Sequence, residues 1–375
     1  MQNKKTKTTL KKLSILLLAI LASLSASGCQ KTQKDGNTIS IVCENFPAYD
    51  FARAIVSSPN SLNPQSKETV KLELLIKPGM EIHTYDPSPK DIIKIQNADI
   101  FIYTGGESDV WLSKILKNTA SDNNSQTPVI IPMKKFVRLL ENTPPRDSQP
   151  AEHDHDKEEQ NPAETADFEN TGHTKDGEEE TDITEILHKG EIDEHYWTSP
   201  ANAIKIIDGI LPAILEADQK KNQGLNMIYY KNNAEKYKQE IIRIENQIHT
   251  VIEKTPEPYI LVGDRFPYRY FAEEFGIEYS AAFSGCSSAV EASPATIARL
   301  INTGKEKQVR AVLATELSNR KIAGTIAQAL NVPVLELHST SNLTQEDFDN
   351  GETYISLMER NLKVLEKLFI IEENE

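Results

Sequence analysis

One stretch limits the fold more than any other: NMIYYKNNAEKYKQEIIRIENQIHTVIEKTP, residues 226–256. Ile241, Ile244, Ile248 and Ile252 recur at intervals of three and four, which places them on one face of an α-helix. About 30 residues at 1.5 Å each reach roughly 45 Å. That exceeds the need of one small domain and suits a rigid strut between two.

On both sides of the strut, short β-branched runs alternate with helical patterns. Before it come NTISIVC, VKLELLIKPG, DIFIYTGGE and PVIIPM as strands, with helical patterns in ENFPAYDFARAI and SPKDIIKIQNA. Ser88 is placed to cap the second of these helices, with Pro89 in its first turn. After the strut come YILVGD, IEYSAAF, VRAVLATE and VPVLELH, alternating with YRYFAEEFG, SPATIARLINTG, NRKIAGTIAQALN and the final ETYISLMERNLKVLEKLF. Such alternation predicts parallel sheets covered on both faces. The expected class is α/β: two lobes, each a mostly parallel sheet flanked by helices, joined by one long backbone helix. The boundaries read as a leader over 1–28, a first lobe over 38–220, a connecting helix over 221–255 and a second lobe over 256–375. No fixed-period repeat relates the lobes.

The leader has five lysines before the apolar run Leu13 to Leu21, then small residues up to Cys29. That is the order of a secretory signal, and the run is shorter than the about 20 residues of a membrane span. Ser25-Ala26-Ser27-Gly28-Cys29 resembles a bacterial lipoprotein cleavage site, with Ala26 where leucine is usual; an ordinary cleaved signal is the alternative. Lipidation of Cys29 would anchor the chain outside the cytoplasmic membrane, at the cell surface or in the periplasm. Of the other cysteines, Cys43 and Cys286 are either two buried thiols or one disulfide.

The formal charge of −15 is unevenly spread. Residues 151–185 hold fourteen acidic and two basic residues, which argues against nucleic acid as a partner. From 141 to 190 no apolar period survives, so this segment is expected to be a mobile, acidic loop.

Open parallel sheets bind ligands beyond the carboxyl ends of their strands. His83 follows LELLIKPG, Asp264 follows YILVG, Glu316 ends AVLAT, and His195 precedes the helix after the acidic loop. Two imidazoles and two carboxylates can complete a four-coordinate shell around a divalent metal. Each also has a structural alternative: a loop histidine on backbone, a helix-capping histidine, an ion pair of Asp264 with Arg265, and Glu316 as a cap near Ser318-Asn319. No pair has a short-range ligand spacing such as H-E-x-x-H.

GMEIHTYDPSPKDI and DEHYWTSPANAI are similar to the two histidine motifs of substrate-binding lipoproteins of zinc and manganese ABC transporters. Pro78, Gly79, His83, Pro87, Ser88 and Asp91 match the first motif. Asp193, His195, Trp197, Ser199, Pro200, Asn202 and Ala203 match the second, with Glu194 in place of proline. The resemblance continues through NNAEKYKQEI, YFAEEFGI, EASPATIARLI and YISLMERNLKVLEKL, over nearly the whole mature chain.

The resemblance implies a C-clamp with one metal between the lobes, zinc first and manganese or iron as alternatives. His83 and His195 carry over as ligands of the amino lobe. In the carboxyl lobe the pattern departs: GDRFPYRY stands where many zinc members have a histidine, so Asp264 or its immediate neighbour takes that place. Gly285 stands where others have a ligand, with Cys286 beside it as an alternative donor. Asp264 ranks first and Glu316 second. His153, His155, His173 and His188 in the acidic segment imply a weak metal-gathering arm. The implied partners are a membrane permease and a separate ATPase, with the protein a monomer and not an enzyme. A surface adhesin or metal buffer and a secreted zinc hydrolase are the rival classes; the chain lacks the hydrolase signatures H-E-x-x-H and G-x-S-x-G.

Overall fold

The computed structural model describes residues 37–57, 69–106, 109, 111–112, 127–141, 192–285 and 292–370. The first sheet is formed by β1 (Ile39–Cys43), β2 (Val70–Leu74), β3 (Ile100–Tyr103) and β4 (Val129–Pro132), all parallel, in the order β2-β1-β3-β4. The runs of β1, β3 and β4 are mostly apolar because both faces are covered, whereas the edge strand β2, VKLEL, alternates. Ile39, Ile41 and Cys43 face one buried cluster, while Val42 and Phe101 face another with Ile95. Ile95 belongs to α2 (Pro89–Asn97); α1 (Phe46–Val56) covers the opposite face with Phe51, Ala52 and Ile55. Ser88 caps α2 in a full capping box with Asp91, and Pro89 opens its first turn, as the sequence predicts.

Two long helices follow, α3 (Pro200–Asn222) and α4 (Met227–Glu253). The predicted isoleucine face of α4 is buried: Ile241, Ile244, Ile248 and Ile252 are at most 8 % exposed. The strut is double, however. Lys238 donates to Asp208 at 2.8 Å and Asn226 to Asp218 at 2.9 Å, so α3 runs antiparallel to α4.

The second sheet, β5 (Tyr259–Phe266), β6 (Glu278–Ser284), β7 (Val312–Ala314) and β8 (Val334–Glu336), repeats the topology in the order β6-β5-β7-β8, again all parallel. Its helices are α5 (Arg269–Phe275), α6 (Pro294–Glu306), α7 (Lys321–Leu330), the short α8 (Gln345–Asp349) and α9 (Tyr354–Phe369). The two-lobed α/β class is therefore the observed one. Both sheets lie in one compact unit, Ile39–Glu375. A single buried cluster runs from Ile41 and Ile102 through Ile206, Ile210, Ile244 and Ile248 to Ile260, Val262 and Leu365. Polar ties reinforce it: Tyr354 donates its backbone N–H to Asp50 at 2.8 Å and its hydroxyl to the Trp197 carbonyl at 2.9 Å.

One junction between the lobes titrates. Glu274 on α5 accepts from the Ser199 hydroxyl, which caps α3, and from the Ala201 N–H at 3.3 Å. Burial lifts its carboxyl, these bonds pull it partly back, Glu245 on α4 lifts it again, and the pKa is pushed up to about 7. The folded value lies above the ordinary 4.5, so the native state holds this proton more tightly than the unfolded chain does. The resulting stability is fully present below about pH 4.5 and is lost as pH rises through about 7. Glu274→Gln should flatten that dependence. Between about pH 5 and pH 8 the unfolding free energy of the variant, relative to wild type, should gain on the order of 1–3 kcal/mol. Urea titrations at both pH values check this, and a constant difference would contradict it.

Candidate metal centre

The loop carrying His83 is fastened at several points. Beyond β2, Leu75 N–H donates to the Cys43 carbonyl at 2.8 Å and Ile76 N–H to that of Glu44 at 2.9 Å, so the chain tracks β1 to its carboxyl end. It then turns at Gly79, whose φ of 81° suits glycine. Across the cleft, Asn342 donates to the carbonyls of Lys77 and Met80 at 3.1 and 2.6 Å, and Gly79 N–H donates to Leu343 O at 2.8 Å. His83 is thus held between this strap and the capped start of α2.

His195 is placed by its neighbours. The 3-10 turn Tyr196–Thr198 follows it, with Trp197 fully buried and its indole N–H donating to Ser339 O at 3.3 Å. Asp193 Oδ1 accepts both the backbone N–H and Nδ1 of His195 at 2.9 Å, while Tyr270 holds the Asp193 carbonyl at 2.9 Å. With Nδ1 donating to Asp193, the Nε2 lone pair of His195 points outward. It faces Nε2 of His83 at 3.1 Å. Behind His83, Glu194 Oε2 lies 3.7 Å from Nδ1.

Two nitrogens on one tetrahedral zinc, each at 2.0–2.1 Å, are about 3.3 Å apart. The histidine pair therefore fits one shared cation, with Asp193 orienting the His195 ring and the Glu194 carboxylate lying near His83. A neutral pair at this distance needs a proton between the two nitrogens, and a metal would take that proton's place.

The opposite wall comes from the second lobe, where Glu316, Thr315 and Ser339 line the same cleft as both histidines. Ser339 orients the Glu316 carboxylate with its N–H at 2.9 Å and its hydroxyl at 2.5 Å, so Glu316 is not a cap for α7. Asp264 does not line this cleft. Its Oδ1 accepts the Arg265 N–H at 2.8 Å and its Oδ2 faces the Thr315 hydroxyl at 3.3 Å. The cause is a register shift in β5 between Val262 and Arg265; such a bulge re-aims side chains. Gly263 permits it, because a Cβ there would lie 2.4 Å from the Cα of Ala323 on α7. Arg265 lines the cleft instead and pairs with Glu81 at 2.7 Å across the lobes. Burial raises the Glu81 carboxyl, but Arg265 and His83 outweigh it and hold the group below the usual range.

The cleft has a volume of about 70 Å³. That is room for an ion with a few waters, well below the about 300 Å³ of pockets that bury an organic ligand. Among the described residues no three His, Cys, Asp or Glu side chains are gathered as a metal shell, so the histidine pair is the assembled part of this centre. Gly285 abuts it: a Cβ there would stand 3.2 Å from Asp193 Oδ2 and 3.3 Å from His195 Nδ1. Cys286 lies outside the described residues, as do Cys29 and the four histidines His153, His155, His173 and His188. Cys43 is a free, fully buried thiol at the end of β1 and takes part in no disulfide in this structure; burial pushes its thiol up.

A buried carboxyl pair backs the site. Burial and then the Asp109 charge push Glu44 well above the usual carboxylate range, and the two side chains share a hydrogen bond. Glu44 also accepts the Thr104 N–H at 2.7 Å, and Asp109 accepts the N–H groups of Gly105 and Gly106. Gly106 leaves room for Glu194, whose Oε1 would lie 1.9 Å from any Cβ there. Sequence reading gave no role in this site to Glu194, Glu81, Ser339 or Asn342, and named Arg265 only as a neighbour and ion-pair partner of Asp264. Glu194 left a signal as the residue replacing the motif proline.

Fold and site together define a two-lobed solute-binding protein whose cleft is of ionic size. The family model for zinc-uptake complex component A, periplasmic, matches residues 41–368, and the chain belongs to that family. It is 27 % identical over 364 residues to the zinc-binding lipoprotein AdcA of Streptococcus pneumoniae serotype 4, covering 96 % of this chain and 61 % of AdcA. It is 25 % identical over 356 residues to the high-affinity zinc uptake system protein ZnuA of Bacillus subtilis strain 168, covering 95 % of each. The Zn(II)-bound ZnuA-like domain of Streptococcus pneumoniae AdcA shares the fold, with a TM-score of 0.62 and 23 % identity over 88 % of this chain and 99 % of that one. This chain spans about three-fifths of the length of AdcA.

Proposed function

We propose that the protein captures zinc outside the cytoplasm in the cleft between its lobes and delivers it to the permease of an ABC importer, whose separate ATPase supplies the energy. The observation that carries this reading is the 3.1 Å approach of the two Nε2 atoms, each ring backed by a carboxylate. His83 and His195 hold the ion from the first lobe and Glu316 from the second, with residues 221–255 connecting lobes 38–220 and 256–375.

Imidazole with carboxylate suits zinc, and the Glu316 carboxylate partly offsets the charge of the buried ion. Loading displaces protons from the imidazoles, so affinity falls in acid. The protein acts as a monomer anchored through lipidated Cys29. The acidic segment with His153, His155, His173 and His188 gathers metal near the cleft. The test is elemental analysis of the purified protein followed by competitive titration with zinc and manganese. One tightly held zinc per chain, retained against excess manganese, is expected. Preference for manganese, or no stoichiometric metal, would overturn the assignment.

A further inference from the structure

Arg265 is an odd wall for a cation site. Its side chain lines the same cleft as His83, His195 and Glu316, and it is the one lysine or arginine among the described residues that do so. A guanidinium has five N–H donors, no lone pair, and a proton that it does not lose in proteins. It cannot ligate a metal, as a histidine in its place could. What it brings to the cleft is a permanent positive charge, which repels any ion held between the imidazoles.

The fold aims it there. The register shift of β5 between Val262 and Arg265 turns the side chain toward the cleft, where it is 25 % exposed. Its Nη1 donates across the lobes to Glu81 Oε2 at 2.7 Å, the one partner of this guanidinium among the described residues. Glu81 stands two residues before His83, and its Oε1 faces the His83 N–H at 3.4 Å. A carboxylate beside a ligand loop draws cations in. Here Arg265 takes up that charge, so the wall between the lobes attracts the ion far less than Glu81 alone would.

We propose that Arg265 is a built-in competitor of the cargo: a tethered cation that occupies Glu81, sets the affinity below what His83, His195 and Glu316 would give by themselves, and shortens the time the ion stays. The proposal rests on zinc capture by that donor set. A carrier has to release what it captures, and affinity differences within one site fall mostly on the release rate. The charge of Arg265 acts on that rate without removing a ligand, so the choice of metal stays with the donors.

The full chain and three variants, Arg265→Gln, Glu81→Gln and the double variant, test this. Zinc affinity is measured by competition with a chelator, and release by stopped-flow mixing with excess chelator. Arg265→Gln leaves Glu81 unopposed and should bind zinc about tenfold more tightly, with correspondingly slower release. Glu81→Gln leaves the guanidinium unopposed and should weaken binding about tenfold. The double variant restores the charge sum and should return to within about threefold of wild type. Both side chains are partly exposed, so the urea midpoints of the four metal-free proteins should agree. Arg265→Gln binding zinc as wild type does, or more weakly, would overturn the proposal and leave the pair a tie between the lobes. A double variant as weak as Glu81→Gln would overturn it too, by making Glu81 a ligand. Wild type without stoichiometric zinc would remove the capture reading and this one with it, whereas zinc-loaded wild type with no gain in Arg265→Gln would sink the competitor alone.

Discussion

His83→Ala should weaken zinc binding by at least about 100-fold while changing the stability of the metal-free protein by less than about 1 kcal/mol. Loss of a residue that merely orients a metal ligand costs about 10–100-fold. Removing a ligand itself should cost at least as much, since the ion then keeps one imidazole from the first lobe. Stability changes little because the His83 side chain packs no core; its loop is held by Asn342 and Gly79 through backbone atoms. Competition against a chelator measures the affinity, and urea unfolding of the apo forms measures the stability. A variant binding zinc as tightly as wild type would eliminate the histidine pair as the capture site.

Trp197→Ala should be the most damaging single change to the fold, costing about 3–5 kcal/mol. The indole is fully buried, stacks edge-on with Tyr196 at 5.2 Å, and donates to Ser339 O in the other lobe. Truncation opens a cavity between the sheets and strands that carbonyl. It also frees His195, whose ring packs against the indole at 5.8 Å, and Ser339, which orients Glu316. Domains are stable by only about 5–15 kcal/mol. The variant should therefore unfold at much lower urea and bind zinc more weakly even where it is folded. A loss below about 1 kcal/mol would show that the two lobes do not depend on this contact.

The periodic parts of the chain were legible in advance. The isoleucines of α4, the cap at Ser88 and the apolar runs of both sheets are local patterns, and local patterns survive into the structure. The two histidine motifs were legible too, because each carries its own positioning residues: Ser88 and Asp91 for one, Asp193 and Trp197 for the other. What failed to show was decided by packing between distant segments. Arg265 rather than Asp264 lines the cleft, because the register of β5 shifts where α7 packs on Gly263. Glu316 owes its orientation to Ser339, which lies on the far side of α7. The pairing of α3 with α4 is likewise a tertiary fact, since only the second of them reads as a strut and nothing local joins it to the first.

The strap formed by Asn342, Gly79 and the Arg265–Glu81 pair bears on how cargo is unloaded. With one apolar mass shared by both sheets, the halves are poorly suited to swing apart like jaws. Under the delivery to a permease proposed above, a smaller movement suffices. Prising up the short ribbon around His83 would strip one donor from the ion and leave the rest of the molecule undisturbed.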